Sequence, residues 1–304
     1  MGTPRAAVPT LRQIVNDGHE VVAVWTQPDK PSGRGSKISY SPIKEFALAH
    51  NLNVYQPARI KNDEAKQLFA SHHADVAVVV AYGRILPDEF LRAPRRGCIN
   101  VHFSLLPLYR GAAPANWAIV NGETETGVTT MFIELALDTG PILRQRKTPI
   151  GEKETAPELM QRLAEIGAEL LGETLARLDD LTPRPQHDAD ATFAPVLSKE
   201  DGLIDWSLSA FAIERRVRGF QPWPNAYTSF NSKGLTIWSA EPATSTTTSV
   251  APGEIILAHR DQLIVGCGDQ TALRLIEVQP ESRKRITVRE FISGARLKVG
   301  DRFG

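Results

Sequence analysis

Two cysteines are all that this 304-residue chain contains, Cys98 and Cys267. They form no paired spacing, which argues against a disulfide framework and against a cysteine-ligated metal. Each lies in an apolar run that reads as a strand, where cysteine behaves as a small buried thiol; such usage fits a reducing compartment. Charge of one sign is missing too: 35 Lys and Arg balance 35 Asp and Glu. A nucleic-acid partner must then be held by a local basic patch, because no global field draws it in. No apolar run approaches the roughly 20 residues of a membrane span. The first residues have neither a signal-peptide apolar core nor an Arg-rich presequence. No metal-ligand spacing stands out. A cytoplasmic protein is expected.

What is present is ordinary in bulk and specific in pattern. Hydrophobic residues make up 42% and charged residues 23%, as in soluble globular proteins, and the length suits two domains. The first half alternates strand and helix. Residues 9–17, 43–50, 63–71 and 114–121 read as helices. Residues 21–25, 52–55, 75–81, 98–102, 128–133 and 142–148 read as strands. Such alternation predicts an α/β fold with an open sheet. The run Val-Ala-Val-Val-Val at 76–80 suits a strand buried on both faces. Residues 26–41 are rich in Gly, Pro and Ser and carry Lys30, Arg34 and Lys37, a long basic loop. A long helix over 156–181 starts at a capping box, Thr155 with Glu158. Residues 182–192 are polar with two prolines and read as linker. Beyond them come a helix at 210–219, five short strands and a last helix at 288–293 boxed by Thr287 and Glu290; five such strands predict a small OB-like barrel. The Ser/Thr run at 244–249 reads as a loop tip.

The chemistry-bearing stretch is residues 100–138. Asn100 and His102 are two apart at the end of an apolar run, so on a strand both point to one face. Asp138 returns on a Gly-bounded loop. An amide, an imidazole and a carboxylate suit acyl transfer, which needs donors for a developing oxyanion and a group to move a proton. Taken singly, each residue has a structural explanation: a strand-end asparagine caps, and a lone histidine packs. Position favours the functional reading, since ligands of open α/β sheets bind beyond the carboxyl ends of the strands.

Asn100-Val-His102, Ser104-Leu-Leu-Pro107, Arg110-Gly-Ala-Ala-Pro114 and Leu137-Asp138-Thr-Gly140 resemble the folate-dependent formyltransferases. Met1-Gly-Thr-Pro4, Thr26-Gln-Pro-Asp29, Gly33-Arg-Gly35, Asp201-Gly-Leu-Ile-Asp-Trp206, Pro222-Trp-Pro224 and Gly266-Cys-Gly-Asp269 narrow the resemblance to those acting on methionyl-tRNA, over essentially the whole chain. It implies a Rossmann-like catalytic domain over residues 1–181, a linker over 182–199 and an OB-like tRNA-binding domain over 200–304, as a monomer. It implies 10-formyltetrahydrofolate as cosubstrate, with no metal, and initiator methionyl-tRNA as acceptor. Asn100 and protonated His102 would stabilise the oxyanion, one such donor being worth roughly 3 kcal/mol, with Asp138 orienting His102. The folate pocket would use Arg84, Ile85, Leu86, Ser104, Leu105, Leu106, Pro107 and Ile133. Without the resemblance, residues 84–86 read as a strand-exit loop. Contacts to tRNA would come from Arg34 and Lys37 in the basic loop and from Arg283, Lys284 and Arg285, although charge runs are usually solvated surface.

The chain departs from the resembled pattern at its first residue. There Met-Gly-Thr-Pro follows directly on the first β-strand; here Met1 opens the chain. Loss of a central strand leaves two inner edges unpaired and an apolar trough, so a start assigned downstream of the native one is expected. Leu108 stands where a basic residue is common. The alternatives are a formyltransferase acting on an amino sugar nucleotide or a purine precursor, a formyltetrahydrofolate hydrolase, and a non-catalytic tRNA- or folate-binding remnant. A nicotinamide dehydrogenase is set aside, because no G-x-G-x-x-G joins a strand to a helix.

Overall fold

The computed structural model describes residues 1–32, 37–243 and 250–304. Arg34 and the Ser/Thr run at 244–249 lie outside the described residues. In chain order the elements are α1 (Val8–Asn16), β1 (Val24–Trp25), β2 (Lys30–Ser32), β3 (Lys37–Ser39), α2 (Pro42–Ala49), β4 (Val54–Tyr55), α3 (Asp63–Ala70), β5 (Ala77–Val79), α4 (Asp88–Arg92) and β6 (Cys98–His102). There follow β7 (Arg110–Gly111), α5 (Pro114–Asn121), β8 (Glu125–Phe132), β9 (Ile142–Pro149), α6 (Ala156–Ala176) and β10 (Phe193–Ala194). The C-terminal third holds α7 (Ala210–Gly219), β11 (Ala226–Phe230), β12 (Lys233–Pro242), β13 (Ile255–His259), β14 (Gln262–Gly266), β15 (Ala272–Pro280), β16 (Ile286–Thr287) and α8 (Val288–Ala295). The chain forms two compact units, one of residues 1–114, 125–149 and 160–194, the other of 115–124, 150–159 and 195–304.

Local signals explain most boundaries. Ser41 caps α2, its hydroxyl accepting from the Lys44 amide, and Asn62 does the same for α3. Glu158 accepts from both the amide and the hydroxyl of Thr155 at the start of α6, and the box at Thr287 and Glu290 is complete. These bonds hold the Glu158 and Glu290 carboxyls below the usual range. The basic loop contains a feature missed in sequence: β2 and β3 pair as an antiparallel hairpin. The long helix ends at Ala176, short of the expected 181.

In the first unit the sheet comes in two pieces. One is β1 parallel to β4; the other runs β5-β6-β8-β9, parallel at β5/β6 and antiparallel thereafter. Met1 and Gly2 join them. The Met1 nitrogen donates to the Val78 carbonyl at 2.7 Å, and the Met1 carbonyl accepts from Val80. Gly2 donates the other way, to the Trp25 carbonyl at 3.0 Å. These two residues occupy the end of a central strand position. Behind them lies a cavity of about 410 Å³ walled by residues of both edges, among them Val22, Val24, Val76 and Val78, and by Leu11 and Leu178. Among the described residues these edges find no strand partner beyond Gly2, and the expected strands 21–25 and 75–81 shorten to Val24–Trp25 and Ala77–Val79.

One face of this sheet packs on Trp25, Phe69, Tyr82, Leu86 and Phe90. Trp25 meets Phe69 and Phe90 edge-on, at centroid distances of 5.2 and 5.6 Å, a favoured aromatic geometry. On the side of α6, Gly167 brings the helix against Val101 and Val128; a Cβ there would come within 2.7 Å of the Val101 side chain.

The second unit folds around an antiparallel sheet in the order β11-β12-β15-β14-β13, with β16 on β15. Register shifts at 237–240 in β12 and at 255–257 in β13 bend the strands. Its core includes Ile213, Val217, Leu263, Leu275 and Phe291, drawn from α7, the sheet and α8. This is the antiparallel β domain expected; among the described residues its end strands β11 and β13 do not pair. Both cysteines are free and buried, and burial pushes each thiol up to about 12. Among the described residues no helix is long and apolar enough to cross a membrane.

Burial pushes the Met1 amine down from 8.0 to about 6. Between those values the unfolded chain holds a proton that the folded chain has released, so stability climbs as pH rises from about 6 to 8. His72, which accepts from the Trp25 indole at 3.2 Å and is pushed down by burial, acts with the same sign below its ordinary value. The thermal midpoint of this chain is therefore expected to rise from pH 6 to 8, and acetylation of the Met1 amine to flatten the rise between pH 7 and 8. An unflattened rise after acetylation would exclude Met1 as its source.

Candidate active site

Strand β6 sets the geometry. It is paired on both edges, Val79 opposite Asn100 on one side and Thr129 opposite His102 on the other. Asn100 and His102 therefore share a face at its carboxyl end. His102 is only 5% exposed. Its Nε2 lies 3.0 Å from the Tyr109 carbonyl oxygen; a carbonyl only accepts, so Nε2 carries a hydrogen. Its Nδ1 faces Asp138 Oδ2 at 3.7 Å, within ion-pair range and too long for a hydrogen bond. Asn100 is half-buried, and among the described residues its side-chain amide makes no hydrogen bond.

Asp138 is placed by backbone that few residues tolerate. Its own φ is 54°, in the left-handed region that costs a non-glycine residue energy. The Gly111 amide donates to Asp138 Oδ2 at 2.8 Å. Gly111, at φ 132°, lies so close to the Ala194 carbonyl that a Cβ would collide with it. Gly140 closes the loop against the Phe132 carbonyl in the same way. Only Oδ2 of the carboxylate is engaged among the described residues, which leaves Oδ1 free to accept a proton.

Two further residues brace this loop. Arg110 is buried, and its Nε and Nη2 donate to Gln186 Oε1 at 3.0 and 2.9 Å, with Nη2 also on Asp188 Oδ1. The Gln186 amide donates to the carbonyls of Asp138 and Gly140 at 2.9 and 2.8 Å. Gln186 lies in the polar stretch read as linker, where composition carries no sign of such a role. That stretch is bound to the first unit: Arg184 and Ile142 exchange backbone bonds, and β10 pairs with β7.

The residues implied for a folate pocket divide into walls and supports. Leu86 is buried and Ile133 packs against the same cluster. Ile85 is 69% exposed. Arg84 donates to the Pro57 carbonyl at 3.0 Å. Ser104 is fully buried and its hydroxyl donates to the Leu108 carbonyl at 2.6 Å. Thr129 Oγ1 clips the loop, donating to Ser104 O and accepting from the Leu106 amide. Leu105 lies over Gly127, where a Cβ would meet its side chain. Leu106 joins Met131 and Ile142 in a small cluster, and the Leu106–Pro107 bond is cis.

Of the basic residues, Lys37 opens β3, and its side chain lies outside the described atoms. The base of the hairpin is held by Lys44, whose Nζ contacts Asp29 Oδ2 at 2.5 Å and Gln56 Oε1 at 2.7 Å. Lys44 and Gln56 hold the Asp29 carboxyl below the usual range. In the second unit Arg283, Lys284 and Arg285 are exposed in the turn between β15 and β16. Arg285 pairs with Glu277 and lies over the Trp238 ring at 5.1 Å; among the described residues no ion pair involves Arg283 or Lys284. Nor is any group of three or more His, Cys, Asp or Glu able to hold a metal found among those residues.

A free amide, an imidazole and a carboxylate at the carboxyl end of an open sheet are the groups that acyl-transfer enzymes use. The formyl transferase family model matches residues 1–175, and the formyl transferase C-terminal domain matches 196–296. The methionyl-tRNA formyltransferase of Solibacter usitatus is 49% identical over 306 residues, covering 100% of this chain and 97% of its own length. That of Caldanaerobacter subterraneus is 48% identical, covering 99% and 97%. Among solved structures, an N-formyltransferase from Helicobacter canadensis, crystallised with folinic acid and dTDP-3-aminofucose, superposes with a TM-score of 0.66 at 18% identity, over 92% of this chain and 97% of that one. The chain belongs to the methionyl-tRNA formyltransferase family.

Gly140→Ala is expected to destabilise the first unit by roughly 1–3 kcal/mol, since a methyl must displace the Phe132 carbonyl. Urea unfolding measures it; an unchanged midpoint would mean that the Asp138 loop yields without cost.

Proposed function

We infer that this protein transfers a formyl group from 10-formyltetrahydrofolate to the α-amine of methionine esterified to initiator tRNA, as a cytoplasmic monomer without a metal. The observation that carries the reading is identity near one half with methionyl-tRNA formyltransferases along the full chain. Residues 1–181 are read as the catalytic, folate-binding part and residues 200–304 as the tRNA-binding part, with 182–199 between them. The rival acceptor, an amino sugar nucleotide, is supported by fold likeness alone at 18% identity.

The chemistry needs little base strength. An α-amine beside an ester has a pKa below the roughly 7.7–8.0 of a free terminus, so much of it is neutral near pH 7. Its nitrogen attacks the formyl carbon, the carbonyl electrons move to oxygen, and the carbon–N10 bond then breaks as N10 takes a proton. The costly point is the oxyanion. Among the described residues the Asn100 amide is unengaged, and it is available to the oxyanion. On His102 the donor is Nδ1, because Nε2 is held by Tyr109. Asp138 lies beside the ring and orients it, and its free oxygen takes the amine proton through a water. Leu86 and Ile133 offer apolar walls for a flat pterin, and the backbone of residues 84–86 offers hydrogen-bond groups. Ser104, Leu105, Leu106 and Pro107 shape the facing loop. Arg34 and Lys37 of the basic loop, with Arg283, Lys284 and Arg285, are read as phosphate contacts.

The direct experiment is transfer of labelled formyl from 10-formyltetrahydrofolate to charged initiator methionyl-tRNA; transfer to a dTDP-amino sugar in its place would overturn the reading. Asp138→Asn is expected to lower kcat by roughly 10²–10⁴-fold with KM values nearly unchanged, and near-normal turnover would remove its role. Arg34→Ala should raise KM for tRNA and leave KM for the folate alone. Equal effects on the two would reject a tRNA-specific contact.

A further inference from the structure

We propose that Gln186 is the positioning residue for the Asp138 carboxylate, closing with Arg110 a ring of hydrogen bonds around the loop that carries it. The inference rests on the formyl-transfer reading above. Gln186 Nε2 holds the Asp138 and Gly140 carbonyls, so both ends of the loop's last turn are fixed from one atom. Gln186 Oε1 takes two bonds from the buried Arg110 guanidinium. Arg110 leads by one peptide to Gly111, whose amide donates to Asp138 Oδ2. The circuit runs from Asp138 carbonyl to Gln186, to Arg110, to Gly111 and back to the Asp138 carboxylate. Every bond in it lies within the first unit.

Such a ring has a reason to exist here. Asp138 sits at φ 54°, a conformation that persists only when the surroundings over-determine it. The carboxylate also stays 3.7 Å from His102 Nδ1, short of a direct hydrogen bond, so its placement must come from elsewhere. Attachment of the 182–194 segment does not need Gln186. Arg184 already exchanges two backbone bonds with Ile142, and Ala194 receives the amides of Ala112 and Ala113. Of the five side-chain bonds of Gln186, two reach the Asp138 loop and two the arginine behind it, and the fifth is a long contact of 3.8 Å to the Met131 sulfur.

Gln186→Leu keeps the bulk and removes all five bonds. It is expected to lower kcat by roughly 10–100-fold, the scale of an ångström-sized misplacement, with both KM values within about two-fold. In an Asp138→Asn background the same change should cost less than about two-fold more, because a group that acts through Asp138 has nothing left to position. Full loss in both backgrounds, or wild-type kcat in the single variant, overturns the proposal. Hydrogen exchange at the Gly111 amide is read in parallel and needs no turnover. It should quicken about ten-fold in Gln186→Leu, and unchanged protection overturns the ring. Gln186→Glu provides a second variant if Gln186→Leu fails to fold: it keeps the acceptors for Arg110, loses the donors to the two carbonyls, and should reproduce the kcat loss. A wild-type chain that does not formylate methionyl-tRNA counts against the function alone, while the Gly111 amide still decides the role of Gln186.

Discussion

Everything at the site depends on β6 being paired along both edges. A strand bonded to β5 on one side and β8 on the other cannot slip by a residue without turning Asn100 and His102 to the opposite face. Its interior positions are nearly all buried, so apolar packing resists the slip as well. The chain leaves the sheet at His102 and enters an irregular loop whose carbonyls and amides are clipped by Thr129 of β8. The same strand pairing thus aligns the imidazole and anchors the loop beside it.

The carboxylate reaches that imidazole by a different physical route. No regular element carries Asp138. It lies on a loop squeezed between two places where only glycine fits, Gly140 against Phe132 and Gly111 against Ala194. Close backbone approach of this kind has a steric cost for any side chain and aims polar groups tightly. The buried Arg110 adds a cation to the first unit, and Gln186 and Asp188 compensate it with oxygens. A buried guanidinium without such partners would be strongly destabilising.

The split sheet shows the other side of strand pairing. Met1 and Gly2 bond both ways, to Val78 and Val80 on one edge and to Trp25 on the other, and so do the work of a strand for two residues. Past them the edges of β1 and β5 part around a cavity, and both strands end early. A positively charged amine at that point is disfavoured by desolvation, which its depressed pKa registers.

Local sequence by itself determined most of the helices, though not α4, and several of their ends, because such signals need no distant partner: Thr155 with Glu158, Thr287 with Glu290, and Gly122 after α5 were all legible. It also determined that Asn100 and His102 share a face, since the strand period is two. The motif around 100–138 carried the family. Tertiary structure alone decided the rest. The lengths of β1 and β5 depend on which edge finds a partner, and composition cannot say that. The hairpin of β2 and β3 hid in a stretch rich in Gly, Pro and Ser. The polar segment after α6 looked like free linker, yet Arg184, Gln186 and Ala194 hold it to the sheet through partners more than 40 residues away. The meeting of Asp138 with His102 likewise spans 36 positions of chain. Contacts of that range are set by how packed elements bring loops together, and no local pattern of residues encodes them.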